Sequence, residues 1–150
     1  MITVRTAKQD DVAFWLQLRT AFWPDDTESE HRKEIDRFFA GEFPRGAWTV
    51  LLAKDAKGGV LGFAELSIRP YAEGCRSNRV AYLEGWFVLP EARERGVGKA
   101  LIEAAENWGR AQGCSEFGSD ADPDNELSRT AHCAVGFTEV GLVRCFRKNL

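Results

Sequence analysis

The sequence predicts a mixed α/β sandwich built as one domain. Stretches with an apolar period of two alternate with stretches of helical period in the order β-α-α-β-β-β-α-β-α-β. The chain has 150 residues, enough for one domain that buries about 68–70% of its unfolded surface without a disulfide or metal staple. No internal repeat, linker or low-complexity stretch interrupts the pattern.

Ile2 to Arg5 alternates apolar and polar residues and reads as a short strand. Lys8 to Trp23 carries Val12, Trp15, Leu16, Leu18, Arg19 and Phe22 at helical spacing; Asp10 or Asp11 can cap its start, and Pro24 stops it. Thr27-Glu28-Ser29-Glu30 is a capping box, so a second helix is expected to about Ala40, closed by Gly41. Trp48 to Ala53 and Val60 to Ile68 flank a Gly-rich turn and predict a hairpin. Pro70 to Asn78 is a loop. Val80 to Leu89 is apolar and aromatic with one charge, Glu84, which marks a central strand ended by Pro90. Gly98 to Gln112 places Leu101, Ile102, Ala104, Ala105 and Trp108 on one stripe, predicting a helix closed by Gly113. Cys114 to Ser119 is a further strand and Asp124 to Val135 a short helix. Phe137 to Val143 and Arg144 to Arg147 are expected as the last strands.

Composition narrows the function classes. The hydrophobic fraction is 44% and the charged fraction 29%, ordinary for a globular protein and against disorder. Net charge is −3, from 23 acidic and 20 basic residues, which argues against non-specific nucleic-acid binding. Cys75, Cys114, Cys133 and Cys145 show no Cys-x-x-Cys spacing, and only His31 and His132 could join them, so no metal site is expected. Dispersed cysteines read as reduced thiols. Met1 runs straight into a strand pattern, with no signal peptide or membrane-spanning apolar run, so a cytoplasmic protein without membrane attachment is expected.

The motif that carries most chemistry follows the central strand. Arg93-Glu94-Arg95-Gly96-Val97-Gly98 opens a helix. A helix start offers four unpaired N–H groups and roughly half a positive charge. Glycines at 96 and 98 let a phosphate approach the backbone closely, and Arg93, Arg95 and Lys99 add positive charge. A plain strand-to-helix turn with solvated charges is the bland alternative. Strand, basic residues and helix stand in the order that a diphosphate cradle requires.

Arg-x-x-Gly-x-Gly after a strand resembles the acyl-CoA loop of the GCN5-related N-acetyltransferases (GNAT). Leu83-Glu84-Gly85-Trp86-Phe87-Val88-Leu89-Pro90 is similar to the strand before that loop in the aminoglycoside 6′-N-acetyltransferases. Ser119-Asp120 and Asp124-Asn125 resemble that subfamily's next strand and helix start, and Leu18 to Pro24, ending Phe22-Trp23-Pro24, resembles its first helix. The resemblance covers nearly the whole chain. It implies a mixed, mostly antiparallel central sheet flanked by helices, acetyl-CoA as co-substrate, direct transfer in a ternary complex without an acyl-enzyme, and a homodimer. No nucleophilic cysteine is then needed; Cys114 and Cys133 read as small core residues.

The resemblance also assigns roles. The loop Arg93, Glu94, Arg95, Gly96, Val97, Gly98 and Lys99 is expected on the pyrophosphate, with Trp86, Phe87 and Val88 along the cofactor. Backbone groups of Trp86 and Val88 would pair with its pantetheine arm, and one N–H there could stabilise the thioester oxyanion. Asn125 matches a pantetheine contact, although asparagine also suits a helix N-cap. Glu84, a charge inside an apolar strand, reads either as an ion pair with a core arginine such as Arg69 or as a carboxylate facing the acceptor amine. Asp120 reads as a turn residue or as the group that contacts that amine. As the catalytic pair, Glu84 and Asp120 would hold a cationic amine and accept its proton. Trp23 and Tyr71 match substrate-contacting aromatics. His132 stands where many superfamily members carry a tyrosine acid; a structural histidine is the other reading. Gly141 stands where subfamily members often have a substrate-contacting glutamate, and Glu139 is the candidate substitute.

The first reading is therefore transfer of acetyl to a primary amine of an aminoglycoside antibiotic. An acetyltransferase of another amine (a polyamine or a protein N-terminus) and a non-catalytic acyl-CoA-binding sensor are the alternatives. The acidic pair favours a cationic acceptor over a sensor.

Overall fold

The computed structural model describes residues 1–43 and 47–150. Strands β1 (Thr3–Thr6), β2 (Trp48–Lys54), β3 (Val60–Arg69), β4 (Val80–Val88) and β5 (Phe117–Ser119) form one sheet in sequence order. The first three junctions are antiparallel and the last, β4 to β5, is parallel. The expected mixed, mostly antiparallel sheet is present. The β2–β3 hairpin closes where Asp55 accepts the N–H groups of Lys57 and Gly59. A parallel junction needs a crossover, and α3 (Val97–Ala111) supplies it.

Helices α1 (Val12–Phe22) and α2 (Glu28–Phe39) cover one face of the sheet; α3 covers the other, and α4 (Glu126–Ala134) follows β5. The strands are apolar on both faces for this reason. In β2, Val50 and Leu52 join Trp15, Leu16, Leu18, Ile35 and Phe63 under α1 and α2. Leu51 and Ala53 join Ala64, Leu66, Leu83, Leu101, Ile102 and Ala105 under α3. Each large side chain buried this way contributes about 1.5–3 kcal/mol.

The helix starts differ in a way that matters for the site. In α2, Thr27 accepts the Glu30 N–H at 3.1 Å and Glu30 accepts the Thr27 N–H at 2.7 Å, the expected capping box. Asn125 caps α4 by accepting the Ser128 N–H at 3.0 Å. By contrast α3 begins at Gly96, in the left-handed region with φ +81°, and no side chain caps it.

A bulge interrupts β4. Glu65 pairs with Gly85 and Leu66 with Leu83, which leaves Glu84 as the extra residue. Leu83 points toward α3, and without the bulge so would Gly85. Instead Gly85 faces α1: a Cβ there would stand 2.6 Å from Trp23 Cη2. Trp86 and Val88 return to the α3 face, and Phe87 to the α1 face.

Two expectations need correction. The strand expected over Cys114 to Ser119 shrinks to Phe117–Ser119, because Cys114 still bonds the Gly109 carbonyl at the end of α3. The final strands expected over Phe137 to Arg147 do not form; residues 137–150 carry no regular element. Their alternation is real, but a strand requires a ladder partner, and this stretch pairs with no strand among the described residues. Val140, Leu142, Val143 and Phe146 are left exposed.

The turn into α1 is held by a buried carboxylate. Asp11 does not cap α1 itself. It accepts a bidentate pair from Arg5 at 2.7 and 2.9 Å, Lys54 Nζ at 2.9 Å and the Lys8 N–H at 2.8 Å. These donors, led by Arg5, hold its pKa far below the usual carboxylate range. The native state therefore binds fewer protons than the unfolded chain, and this contribution to stability is present above about pH 4 and lost as pH falls. Asp11→Asn should lower stability in urea by about 2 kcal/mol at pH 7. The gap to the parent should narrow steadily below about pH 4; a gap that stays constant down to strong acid would contradict this role for Asp11.

Candidate active site

The site is built around the bulge. β5 pairs with β4 only over Ala81, Tyr82 and Leu83, and ends at Ser119, while β4 continues to Val88. From Glu84 onward the β5-side edge of β4 has no strand partner among the described residues, so its backbone groups, except the Val88 carbonyl that accepts from Arg93, are open to an extended ligand. An amide-bearing arm fits such an edge.

The uncapped start of α3 lies at the end of this opening. Its first N–H groups have no intrahelical partner and no side-chain cap. Gly96 has open space where a Cβ would stand, and its φ of +81° is one that other residues adopt only with strain. Glu94 also holds a left-handed conformation, at φ 61°, so the loop is bent by two such residues on either side of Arg95. Arg95 and Lys99 are exposed beside it; Lys99 stands 3.8 Å from Glu103. Arg93 turns the other way, donating through Nε to the Val88 carbonyl at 3.0 Å, and its guanidinium lies 5.8 Å from the Phe87 ring. These residues fit a pyrophosphate: backbone donors, positive charge and no side chain in the path.

Trp86 and Gly98 meet on the α3 face. A Cβ on Gly98 would stand 3.1 Å from Trp86 Cζ2, so glycine at this position lets the indole reach the helix start. The Trp86 Nε1–H is buried without a partner among the described residues. Its ring meets His132 edge to face, with centroids 5.3 Å apart. His132 uses both ring nitrogens. Nδ1 lies 2.7 Å from the Ser128 carbonyl, which can only accept, so Nδ1 carries the proton. In the neutral ring Nε2 then accepts from the Ser119 hydroxyl at 2.8 Å. A histidine in this tautomer has no free proton to give.

The acidic cluster lies on the opposite face. Both Glu84 oxygens are engaged by Arg69, at 2.9 Å from Nε and 2.7 Å from Nη2, and Ser67 donates to Oε1 at 2.6 Å. Of the two readings of Glu84, the arginine pair is therefore present. Burial opposes the Arg69 charge, but the Glu84 carboxylate outweighs it and its pKa is raised. The guanidinium stacks 3.6 Å from the Tyr82 ring centre. Tyr82 in turn donates to Asp120 Oδ2 at 2.6 Å. Burial, then the Asp120 contact, raises the Tyr82 pKa, so the phenol remains a donor. Glu84, Arg69, Tyr82 and Asp120 are thus one connected group with two carboxylates and one guanidinium. Asp120 is exposed, and its Oδ1 has no partner among the described residues.

Trp23 joins this group from above. It lies over Gly85, the residue next to Glu84, and packs against Phe22 and Phe63 at centroid distances of 4.6 and 6.1 Å. Tyr71 is exposed in the loop after β3, and Glu73 raises the pKa of its phenol. Glu139 accepts from Arg129 Nε of α4 at 2.9 Å; no strand face aligns it with position 141, which removes that geometric ground for its substrate role. Asn125 makes its cap bond on an exposed surface. Sequence reasoning missed Tyr82 and the buried Arg19–Glu65 pair. Their signal was available for the latter: one charge inside each of two apolar patterns.

Residues 15–137 match the model of the Acetyltransferase (GNAT) family. The chain belongs to that family. Among relatives of this GNAT chain, aminoglycoside N(6′)-acetyltransferase type 1 of Klebsiella aerogenes is 55% identical over 147 residues, covering 98% of this chain and 96% of the relative. The protein of the same name from Stenotrophomonas maltophilia is 40% identical over 149 residues, covering 99% and 94%. The solved structure of AAC(6′)-Iy with the bisubstrate analogue CoA-S-monomethyl-acetylneamine superposes with a TM-score of 0.91 at 36% identity, covering 100% of this chain and 99% of that one. Apo AAC(6′)-IG of Acinetobacter haemolyticus gives 0.90 at 34%, covering 99% of each. The GNAT chain is an acetyl-CoA-dependent acetyltransferase.

The glycine at the helix start supplies a direct check of the cofactor loop. Gly96→Val should raise the acetyl-CoA Kd at least about 30-fold in calorimetry, roughly 2 kcal/mol, because a β-branched residue resists φ +81° and places methyl groups in the phosphate path. An unchanged Kd in a folded variant would remove the loop from the cofactor site.

Proposed function

We propose that the chain transfers the acetyl group of acetyl-CoA to the 6′-amine of an aminoglycoside and so confers resistance to the antibiotic. One observation carries the reading beyond the family: a net acidic cluster, with one carboxylate oxygen unpartnered, stands beside the open edge of β4. A cationic acceptor suits that field, and the relatives named for this activity match over nearly their whole length.

The chemistry follows from the geometry. Glu84, held by Arg69 and Ser67, and Asp120, held by Tyr82, position the ammonium; Asp120 Oδ1 accepts its proton directly or through water. The free amine attacks the thioester carbonyl. A backbone N–H on the open edge of β4, at Trp86 or Val88, stabilises the oxyanion. The C–S bond breaks and the thiolate takes a proton from solvent or from the acceptor nitrogen. The pyrophosphate rests on Gly96 to Lys99, with Arg93, Glu94 and Arg95 shaping the loop, while Phe87 backs the strand from the other face. Trp23 and Tyr71 cover the sugar rings, and Asn125 contacts the pantetheine arm.

The alternation of Phe137 to Arg147, with Val140, Leu142, Val143 and Phe146 exposed, supports a homodimer in which a second copy covers this segment. Among the described residues no helix is long and apolar enough to cross a membrane. The chain functions as one catalytic domain in the cytoplasm.

A thiol-release assay against a panel of amines tests the activity. Turnover with tobramycin- or kanamycin-like acceptors is expected; turnover only with a polyamine would retain the transferase and discard the aminoglycoside. Asp120→Asn should lower kcat about 10²–10⁴-fold with acetyl-CoA affinity intact. His132→Phe should keep kcat within about tenfold, since the histidine has no proton free to donate; a thousandfold loss would assign it the acid role.

A further inference from the structure

Beneath α1 and α2 lies a polar group that the transfer chemistry does not use. Arg19, His31 and Glu65 are 8%, 1% and 2% exposed. Arg19 Nη1 and Trp15 Nε1 both donate to Glu65 Oε1, the latter at 2.8 Å. Arg19 Nε donates to His31 Nδ1 at 3.2 Å. Since Nδ1 accepts, the imidazole proton sits on Nε2, which donates to the Trp23 carbonyl at 3.1 Å. That carbonyl, at a helix end and without an intrahelical partner, also accepts the Asp26 N–H at 3.3 Å, so His31 makes the shorter of its two contacts. The Trp23 N–H is taken by the Arg19 carbonyl at 2.8 Å. Above the same residues lies the Trp23 ring, 4.8 Å from the Arg19 guanidinium carbon and stacked on His31 at 6.5 Å.

We infer that Arg19, His31 and Glu65 are positioning residues for acceptor specificity: they fix the backbone and ring of Trp23 over Gly85 at the edge of the amine pocket. The inference rests on the placement of Trp23 in the acceptor site. A hydrophobic trio would fill the same space and avoid the desolvation of two charges. It would leave the α1 end carbonyl with only the longer Asp26 contact and would place no cation under the indole. Each member constrains the next: Glu65 from β3 orients Arg19 on α1, Arg19 sets the tautomer of His31 on α2, and His31 ties the chain at Trp23. The ring is held from below by this chain and from the sheet side by Phe63 and Gly85, where added side-chain bulk would collide with it.

A double-mutant cycle of His31→Leu and Trp23→Ala tests this, read as KM and kcat for several aminoglycosides and KM for acetyl-CoA. His31→Leu alone should raise acceptor KM about tenfold with kcat and acetyl-CoA KM little changed, the pattern of lost uniform binding. In the Trp23→Ala background it should add less than about twofold, because the effect runs through the ring. His31→Gln, whose amide can accept from Arg19 and donate to the Trp23 carbonyl, should restore most of the loss. If His31→Leu does not fold, Arg19→Lys enters the same cycle with the same expectations, since it keeps a charge opposite Glu65 but loses the Nε donor. Additive losses, or equal effects on both substrates, would overturn the inference and leave the acceptor assignment standing. An unchanged acceptor KM in Trp23→Ala would overturn both.

Discussion

The extra residue in β4 is the constraint on which the site depends. One residue inserted opposite Glu65 and Leu66 reverses the facing of everything after it. It keeps Glu84 on the side of Ser67 and Arg69, turns Gly85 under Trp23, and sends Trp86 to the helix α3 side, where Gly98 admits it. The ladder to β5 also ends beside it, at Leu83 and Ser119. A regular β4 would leave Glu84 where it is but carry Gly85 and Trp86 to the wrong faces, and neither aromatic could occupy its present place.

Three charge networks occupy the same face of the sheet and are used differently. Asp11 is saturated by Arg5, Lys54 and a backbone N–H and closes the corner between β1, β2 and α1. Arg19 and Glu65 are buried, and burial raises the Glu65 pKa although Arg19 and Trp15 oppose it. Such a pair adds little net stability compared with apolar packing, so its value lies in geometry. Only the third network, Glu84 to Asp120, reaches solvent with an unpartnered carboxylate oxygen. Desolvated pairs at one end and an open carboxylate at the other give this face a rigid side and a reactive side.

Most of the fold was legible because its signals are local. Period two and period 3.6 are visible in single stretches, and Thr27 to Glu30 announces its helix start in four residues. The glycines at 96 and 98 were readable for the same reason. What escaped depends on partners distant in the chain. The bulge is a count of residues on one strand against another, so β4 alone cannot reveal it. Tyr82 and Asp120 are separated by 38 positions, and Arg19 and Glu65 by 46. Glu84 is readable as a charge that needs compensation and Arg69 as a candidate for it, but both oxygens become engaged only when β3 and β4 pair. Phe137 to Arg147 shows the reverse case: the alternation is strand-like, yet a pattern without a partner forms no strand.

On the proposed reading the donor and the acceptor fall on different sides of one sheet. Gly96, Gly98 and Trp86 lie with α3, whereas Trp23, Glu84 and Asp120 lie on the α1 side, and the sides meet at β4 near the bulge and at Ser119, which adjoins Asp120 and bonds His132 beside Trp86. Selection can therefore act on them separately. On the proposed reading, substitutions in the α1 turn or the loop around Tyr71 would reshape the amine pocket without touching the start of α3. A family built on this plan can diversify its acceptors while its donor stays constant, and the inheritance unit for that diversification is a face of the sheet rather than a segment of the chain.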